Sequence, residues 1–347
     1  MPRMRIKDIA EQAGVSPATV SRYLNNRPGQ MTEETRARIA EVIERTGYRP
    51  RTAARNLRSE QSRLIGVMLA DIRNPYSSAM LEELSALAER RGYALMTAVS
   101  GNDAQREAEG LERLVDAGVD GLIVNTCGGN DAKIGQIAQQ VPMVLLDRGV
   151  AGAYADVVTS NNDELMRALV EAVVRGGASM CRLLMESGDS SPVRRIRAIA
   201  FEDECARRGI DGVILPLAPD SKAAALQVAS LRGQGGETLG LIAVNGLVFL
   251  QLVEALASRS PALPPDIRIA TFDDYAWNHV LYGGVTTAVQ DTCAIADAVF
   301  CRLVARMERS AHMVGKEAVL QPERIEVPGT VVCRVSTELP DAGPTAR

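Results

Sequence analysis

The chain has 347 residues, 46% of them apolar and 24% charged, the composition of a folded globular protein and not of a disordered one. Its net charge of −4 is unevenly spread: residues 1–63 hold 13 Lys/Arg against 7 Asp/Glu, a head of +6 on a body of −10, which points to a polyanion partner for the head alone. No stretch approaches the roughly 20 apolar residues of a membrane span and the first 25 residues lack a secretory core, so a cytoplasmic location without membrane contact is expected.

Ile6, Ile9, Ala10 and Ala13 recur at helical spacing, giving a first helix one apolar face. Gly14 is placed to end it in a left-handed C′ conformation, with Val15 plugging the turn. Ser16 followed by Pro17 reads as an N-cap and N1 pair, so a second helix starts there. Val20 and Leu24 put one face of it on the core, and Ala18, Ser21, Arg22 and Asn25 occupy the other. Thr32 caps a third helix with Ile39, Val42 and Ile43 inward and Gly47 at its end. Three short helices with a Gly-containing turn form a helix-turn-helix unit, whose second helix reaches base edges and phosphates. The segment "RTAARNLR" (51–58) contains good helix formers but is too short to be stable alone in water.

From Leu64 the pattern changes to apolar runs such as "LIGVMLA", "GLIVNT" and "PMVLLDR" separated by helical stretches, and a second cycle begins near residue 162 with "CRLLME", "GVILP", "LGLIAV" and "IRIATFDD". Unbroken apolar strands alternating with helices predict parallel sheets, and two cycles predict two α/β lobes with a small-molecule cleft at the carboxyl ends of the strands. No phosphate loop, no GxSxG elbow and no histidine beside a nucleophile is present, so no enzyme is expected. Six cysteines are scattered without a CxxC pair and only two histidines occur, which argues against a metal or disulfide framework, for reduced thiols in apolar surroundings, and for no cofactor.

The run "IKDIAEQAGVSPATVSRYLNN" followed by "TEETRARIAEVIERTGYRPRTAARNLRSEQSRLIGV" resembles the head and hinge of the LacI-type (lactose/galactose repressor) transcription regulators almost position for position. The resemblance implies a head at 1–50, a hinge helix and linker at 51–63, and an effector and dimerisation domain at 64–340. The lobes divide at about 64–162 plus 293–324 and about 163–292 plus 325–340. It implies that Arg22 reads a base, a role suited to bidentate binding of guanine, that Ser16, Thr19, Ser21 and Asn25 anchor phosphates, and that Leu57, with Arg55 nearby, wedges into the minor groove. Pro17 and Ala18 stand where base-reading side chains are frequent in the family, and limit readout there to shape and methyl contact.

The body resembles the same family's periplasmic-binding-protein-like effector domain through "NPY", "LIVN", "LLDR", "NN" at 161–162, "RxxAF" at 197–201, "TFDD" and "TTAVQD". On that basis Asn74, Tyr76, Asn125, Asp147, Arg148, Arg197, Asn245, Asp274, Trp277 and Gln290 are the expected effector contacts. Asn and Asp at strand ends also serve as N-caps, a role expected of Asn162 and of one or two of these residues. Asn245–Gly246 departs from the family's frequent Asn-Asp, and "VNGLVFLQLVEAL" with "FDDYAW" resembles the branch responding to ketogluconate and ketodeoxygluconate sugar acids. The resemblance implies a homodimeric, optionally tetrameric, repressor of a sugar or sugar-acid operon, bound to a pseudopalindromic double-stranded operator and released by a small-molecule effector. The tail "STELPDAGPTAR" has no heptad pattern to tetramerise through. The alternative is the solute-binding protein of a sugar transporter, with the same lobes and no DNA function.

Overall fold

The computed structural model describes residues 4–24, 31–46, 48, 61–186, 191–218, 220–231, 237–257, 262–312 and 321–338. Asn25, Gly47, Arg55 and Leu57 lie outside them. The chain divides into two compact units, 1–62 and 63–347.

In the first unit, helices α1 (Ile6–Gln12), α2 (Pro17–Leu24) and α3 (Glu33–Thr46) enclose Ile9, Ala10, Ala13, Val20, Ile39 and Val42. Gly14 takes φ +62°, and the Val15 N–H bonds the Ala10 carbonyl at 2.9 Å, the closure that stops α1 and satisfies an otherwise orphaned carbonyl. Val15 packs against the core beside Leu24 and Tyr23.

The second unit holds two six-stranded sheets. In the first lobe, β1 (Leu64–Leu69), β2 (Ala94–Val99), β3 (Gly121–Asn125), β4 (Met143–Leu146), β5 (Asp156–Ser160) and β11 (Arg324–Val327) lie in the order β11-β5-β4-β3-β1-β2, all parallel. In the second, β6 (Met180–Glu186), β7 (Asp211–Leu217), β8 (Leu239–Ala243), β9 (Ile267–Phe272), β10 (Thr286–Val289) and β12 (Thr330–Val332) lie in the order β12-β10-β9-β8-β6-β7, with β12 antiparallel to β10. The central strands β3, β4, β8 and β9 are buried along their whole length, which is why they read as continuous apolar runs. Helices α4 (Pro75–Arg90), α5 (Ala104–Asp116), α6 (Asp131–Ala138) and α12 (Thr292–His312) cover the first sheet. Helices α7 (Asn162–Arg175), α8 (Pro192–Arg208), α9 (Ser221–Ser230), α10 (Gly246–Ala257) and α11 (Ala276–Val280) belong to the second.

The chain passes between lobes three times, at 160–162, 289–292 and 327–330. The third crossing differs from the expected boundary at 324/325, because Arg324–Val327 pairs with β5 and so extends the first sheet. The cysteines differ too: Cys127, Cys181 and Cys205 are buried as expected, but Cys293, Cys301 and Cys333 are exposed. Two of these lie on α12 and one just beyond β12, at exposed positions. Among the described residues no helix is long and apolar enough to cross a membrane, and no group of three metal-capable side chains occurs.

Helix α12 is fastened to the first sheet by a buried carboxylate. Asp156 is inaccessible and accepts hydrogen bonds from Arg302 Nε at 2.8 Å, Arg306 Nε at 2.9 Å and the Glu323 N–H at 2.9 Å. Burial works to raise its pKa, and Arg306 and Arg302 outweigh it, holding the carboxyl at about 2. Asp156→Asn should therefore destabilise the protein by about 3–5 kcal/mol in urea unfolding at neutral pH, since the buried Arg306 loses its counter-charge and Arg302 keeps only Glu323, at 2.9 Å. Because the folded pKa is depressed, that stability is present above the ordinary carboxylate value and is lost as pH falls through about 2; the gap between wild type and variant should close across that window.

Candidate functional site

The head presents one face of α2. Ser16 Oγ accepts the Thr19 N–H at 3.2 Å and lies 2.9 Å from Thr19 Oγ1, so this pair is engaged in starting the helix. Val20 is fully buried, which turns Pro17, Ala18 and Arg22 outward, all exposed, with Ser21 half-buried beside them. The i, i+4 spacing of 17–21 and 18–22 puts these four on one strip, with Arg22 the only cation of the helix.

The body brings a second set together where the strands of both lobes end. Asp147 follows β4 and Asp273 follows β9, and both adopt left-handed backbone, φ 67° and φ 70°. Each extends its strand's pairing by one bond, Asp147 N–H to the Val158 carbonyl at 2.7 Å and Asp273 N–H to the Ala288 carbonyl at 2.9 Å. The two lobes thus present the same device, an acidic residue of a type that tolerates this conformation, from opposite sides. Asp147 accepts a bond from Thr159 Oγ1 at 3.2 Å, and Asp273 from Gln290 Nε2 at 2.6 Å and from the Gly246 N–H.

Arg197 of α8 enters this set almost fully buried, 4% exposed. Its Nε donates to Asn162 Oδ1 at 2.8 Å, its Nη1 to the Val244 carbonyl at 2.7 Å, and its guanidinium lies 3.6 Å from the Phe272 ring centroid. Burial lowers its pKa, against the fields of Asp273 and Asp147. Burial likewise raises the Asp273 carboxyl, against Arg197. Arg148 donates Nη1 to the Thr126 carbonyl at 2.7 Å, and Asn125 donates Nδ2 to the Leu146 carbonyl at 3.0 Å. Tyr76, from α4, sits amid Asp147, Asp273, Arg197 and Arg148; burial pushes its hydroxyl well above its ordinary pKa, and among the described residues that oxygen has no hydrogen-bond partner.

Tyr76, Asp147, Arg148 and Arg197 are therefore brought together, and Asn125, at the end of β3, bonds the end of β4. Asn74 and Asn245 are occupied as helix caps: Asn74 Oδ1 accepts the Tyr76 N–H at 3.1 Å and Asn245 Oδ1 the Val248 N–H at 2.9 Å. Asn162, expected to cap α7, does not: it bonds Thr159, Ser160 and Arg197, and Asn161 occupies the cap. Asp274 is turned away from the set into a bidentate pair with Arg334, at 2.9 and 2.8 Å, beside His279. Its neighbour Asp273 takes the place, a displacement of one residue. The signal was present in the parallel between "VLLD" at 144–147 and "ATFD" at 270–273, where the first acid after the apolar run is the equivalent one.

Tyr275 was also missed. Its ring lies 4.8 Å from that of Trp277, and it faces Asp273, Tyr76 and Arg197. Trp277 packs on the second lobe's core with its Nε1 buried. At Gly246 a Cβ would approach the Tyr275 ring to 3.2 Å and Pro75 of the other lobe to 3.8 Å, so glycine there lets the aromatic pair and α4 close on the cleft.

A helix-turn-helix head on a two-lobed body with charged side chains converging from both lobes defines the class: a ligand-responsive DNA-binding regulator. Residues 5–51 match the family described as bacterial regulatory proteins, lacI family, and residues 65–280 the periplasmic binding protein domain. The HTH-type transcriptional regulator PtxS of Pseudomonas plecoglossicida is 32% identical over 97% of this chain and 96% of its own. The HTH-type transcriptional regulator KdgR of Bacillus subtilis (strain 168) is 31% identical over 95% and 97%. The crystal structure of the lac repressor dimer bound to operator and the anti-inducer ONPF superposes with a TM-score of 0.79 over 97% of this chain and 99% of that one, at 21% identity. The chain belongs to the LacI family of bacterial regulatory proteins, and is a transcriptional regulator; the relatives match across the head as well as the body, which disfavours a transporter's solute-binding protein.

The Arg197 geometry gives a stability prediction independent of any ligand. Asn162→Ala leaves a buried guanidinium N–H without its acceptor, and should cost roughly 1–3 kcal/mol in denaturant unfolding.

Proposed function

We propose that the chain is a dimeric repressor with no catalytic activity that binds a pseudopalindromic operator through Arg22 and its neighbours on α2, and is released when a sugar acid occupies the cleft. The observation that carries the cleft reading is the Tyr76 hydroxyl, which is buried among two carboxylates and two guanidinium groups and has no hydrogen-bond partner among the described residues. An unsatisfied buried hydroxyl costs roughly 1–3 kcal/mol, and a polyol hydroxyl, both donor and acceptor, relieves that cost. Asp147 and Asp273 are acceptors for further hydroxyls, the Tyr275 ring, tilted 33° to that of Trp277, offers an aromatic face, and Arg148 and Arg197 suit a carboxylate. Glycine at 246 adds no third acid to the cleft.

Asn125, Tyr76, Asp147, Arg148, Arg197, Asp273 and Tyr275 form the proposed contact set, with Asn74 and Asn245 holding the helices that frame it. A thermal-shift screen against aldonic and keto-aldonic acids and the matching neutral sugars tests the ligand class. At 100 times Kd a true effector adds about 2.7 kcal/mol. An acid should raise the melting temperature and its neutral counterpart should not; stabilisation by neutral sugars alone refutes the sugar-acid reading. Asp273→Asn should abolish that shift, while Asp274→Asn keeps it.

On the head, Arg22→Ala should leave the melting temperature unchanged, since Arg22 is exposed, and should erase operator preference over random DNA in a gel-shift titration. Wild-type affinity should fall with a log–log salt slope near −5 per head, for about six phosphate contacts. A salt-independent affinity refutes the electrostatic account.

A further inference from the structure

The lobe crossings carry side chains that the cleft shares. Gln290 lies in the second crossing, between β10 and α12. Its Oε1 accepts a hydrogen bond from Ser160 Oγ at 2.7 Å, at the end of β5, and its Nε2 donates to Asp273 Oδ1 at 2.6 Å. One buried amide thus touches the first crossing, occupies the second and holds the cleft carboxylate of the second lobe. Asn161 Oδ1 accepts the Gly329 N–H at 2.8 Å, tying the first crossing to the third. Next to it Asn162 holds Arg197. Both charges that the second lobe contributes are therefore bonded to crossing residues.

We infer that Gln290 is a positioning residue that links occupancy of the cleft to rotation of the lobes, and is not itself an effector contact. This rests on the ligand-responsive reading above. Both ends of its amide are engaged by protein groups, one in each lobe. A ligand hydroxyl that donates to Asp273 competes with Gln290 for the same carboxylate. When the ligand wins, the amide loses its fixed orientation and Ser160 loses its acceptor. The lobe arrangement that keeps the Ser160–Gln290–Asp273 chain is thus disfavoured by ligand, and an arrangement that breaks the chain frees Asp273 for ligand. Such a differential contact is what coupling between two sites requires.

The test uses the full-length protein, an operator selected from random DNA by the wild-type chain, and 2-keto-D-gluconate as the probe, its binding read from the emission of the single tryptophan, Trp277. In the absence of probe, Gln290→Met and Ser160→Ala should each change operator affinity, by about 5-fold or more, and the double variant should change it no more than the larger single one, because both cut one chain. Ser160→Thr, which keeps the hydroxyl, should restore wild-type affinity. With probe, Ser160→Ala should bind more tightly than wild type, because Asp273 is freed, and should need a lower concentration for release. Unchanged ligand-free operator affinity in Ser160→Ala, or additive effects of the two substitutions, overturns the inference, including the case in which only thermal stability falls. A wild-type chain that ignores the probe excludes 2-keto-D-gluconate as the effector and leaves the ligand-free comparison to decide the role of Gln290.

Discussion

The body is organised around one buried charge. A guanidinium withdrawn from water is costly unless its N–H groups and its charge are met, and Arg197 is met by groups from four places: the first crossing through Asn162, the end of β8 through the Val244 carbonyl, β9 through the Phe272 ring, and the field of Asp273. The field of Asp147, from the other lobe, acts on it as well. The electrostatic balance of the cleft is consequently shared between lobes, and any change in their relative position alters it. A ligand placed among these groups acts on the same balance, which gives a small molecule leverage on the arrangement of the whole body.

The two lobes reach the cleft by the same local means. Each ends a fully buried parallel strand with an aspartate in left-handed conformation, bonded back to the neighbouring strand, so two carboxylates oppose one another with guanidinium groups between. Burial makes the charged forms costly, and the opposite charges keep the set near neutrality. Among the described residues the buried Tyr76 hydroxyl and Trp277 Nε1 are left without hydrogen-bond partners, and a polyol can supply one to the hydroxyl. The head, by contrast, needs no such convergence: its core is a handful of aliphatics, and its working face is whatever Val20 turns outward.

Much of this was legible in the residues. Cap and stop signals at Gly14, Ser16, Pro17 and Thr32 mark the head because they act through local backbone chemistry, and the apolar runs mark the strands because both sheet faces are covered. Tyr76, Asp147, Arg148 and Arg197, singled out in the sequence, come together in space. The choice between Asp273 and Asp274 was not, since it turns on where β9 leaves the sheet and which acid then takes positive φ, a matter of one residue. Asn162 read as a cap because an asparagine before a helix ordinarily is one; its use by Arg197 depends on a helix 35 residues further along the chain. The third crossing was misplaced because β11 is short and its partner is β5, far away in sequence. Distant pairing of this kind leaves no local trace.

The central claim is that cleft and operator are linked through a single conformational equilibrium, and linkage is reciprocal. The most direct measurement is the affinity of 2-keto-D-gluconate for the full-length protein, read from Trp277 emission, with and without saturating operator, set beside the operator affinity with and without the sugar acid. The account predicts that both affinities fall, and by the same factor. A sugar-acid affinity indifferent to bound operator would contradict it.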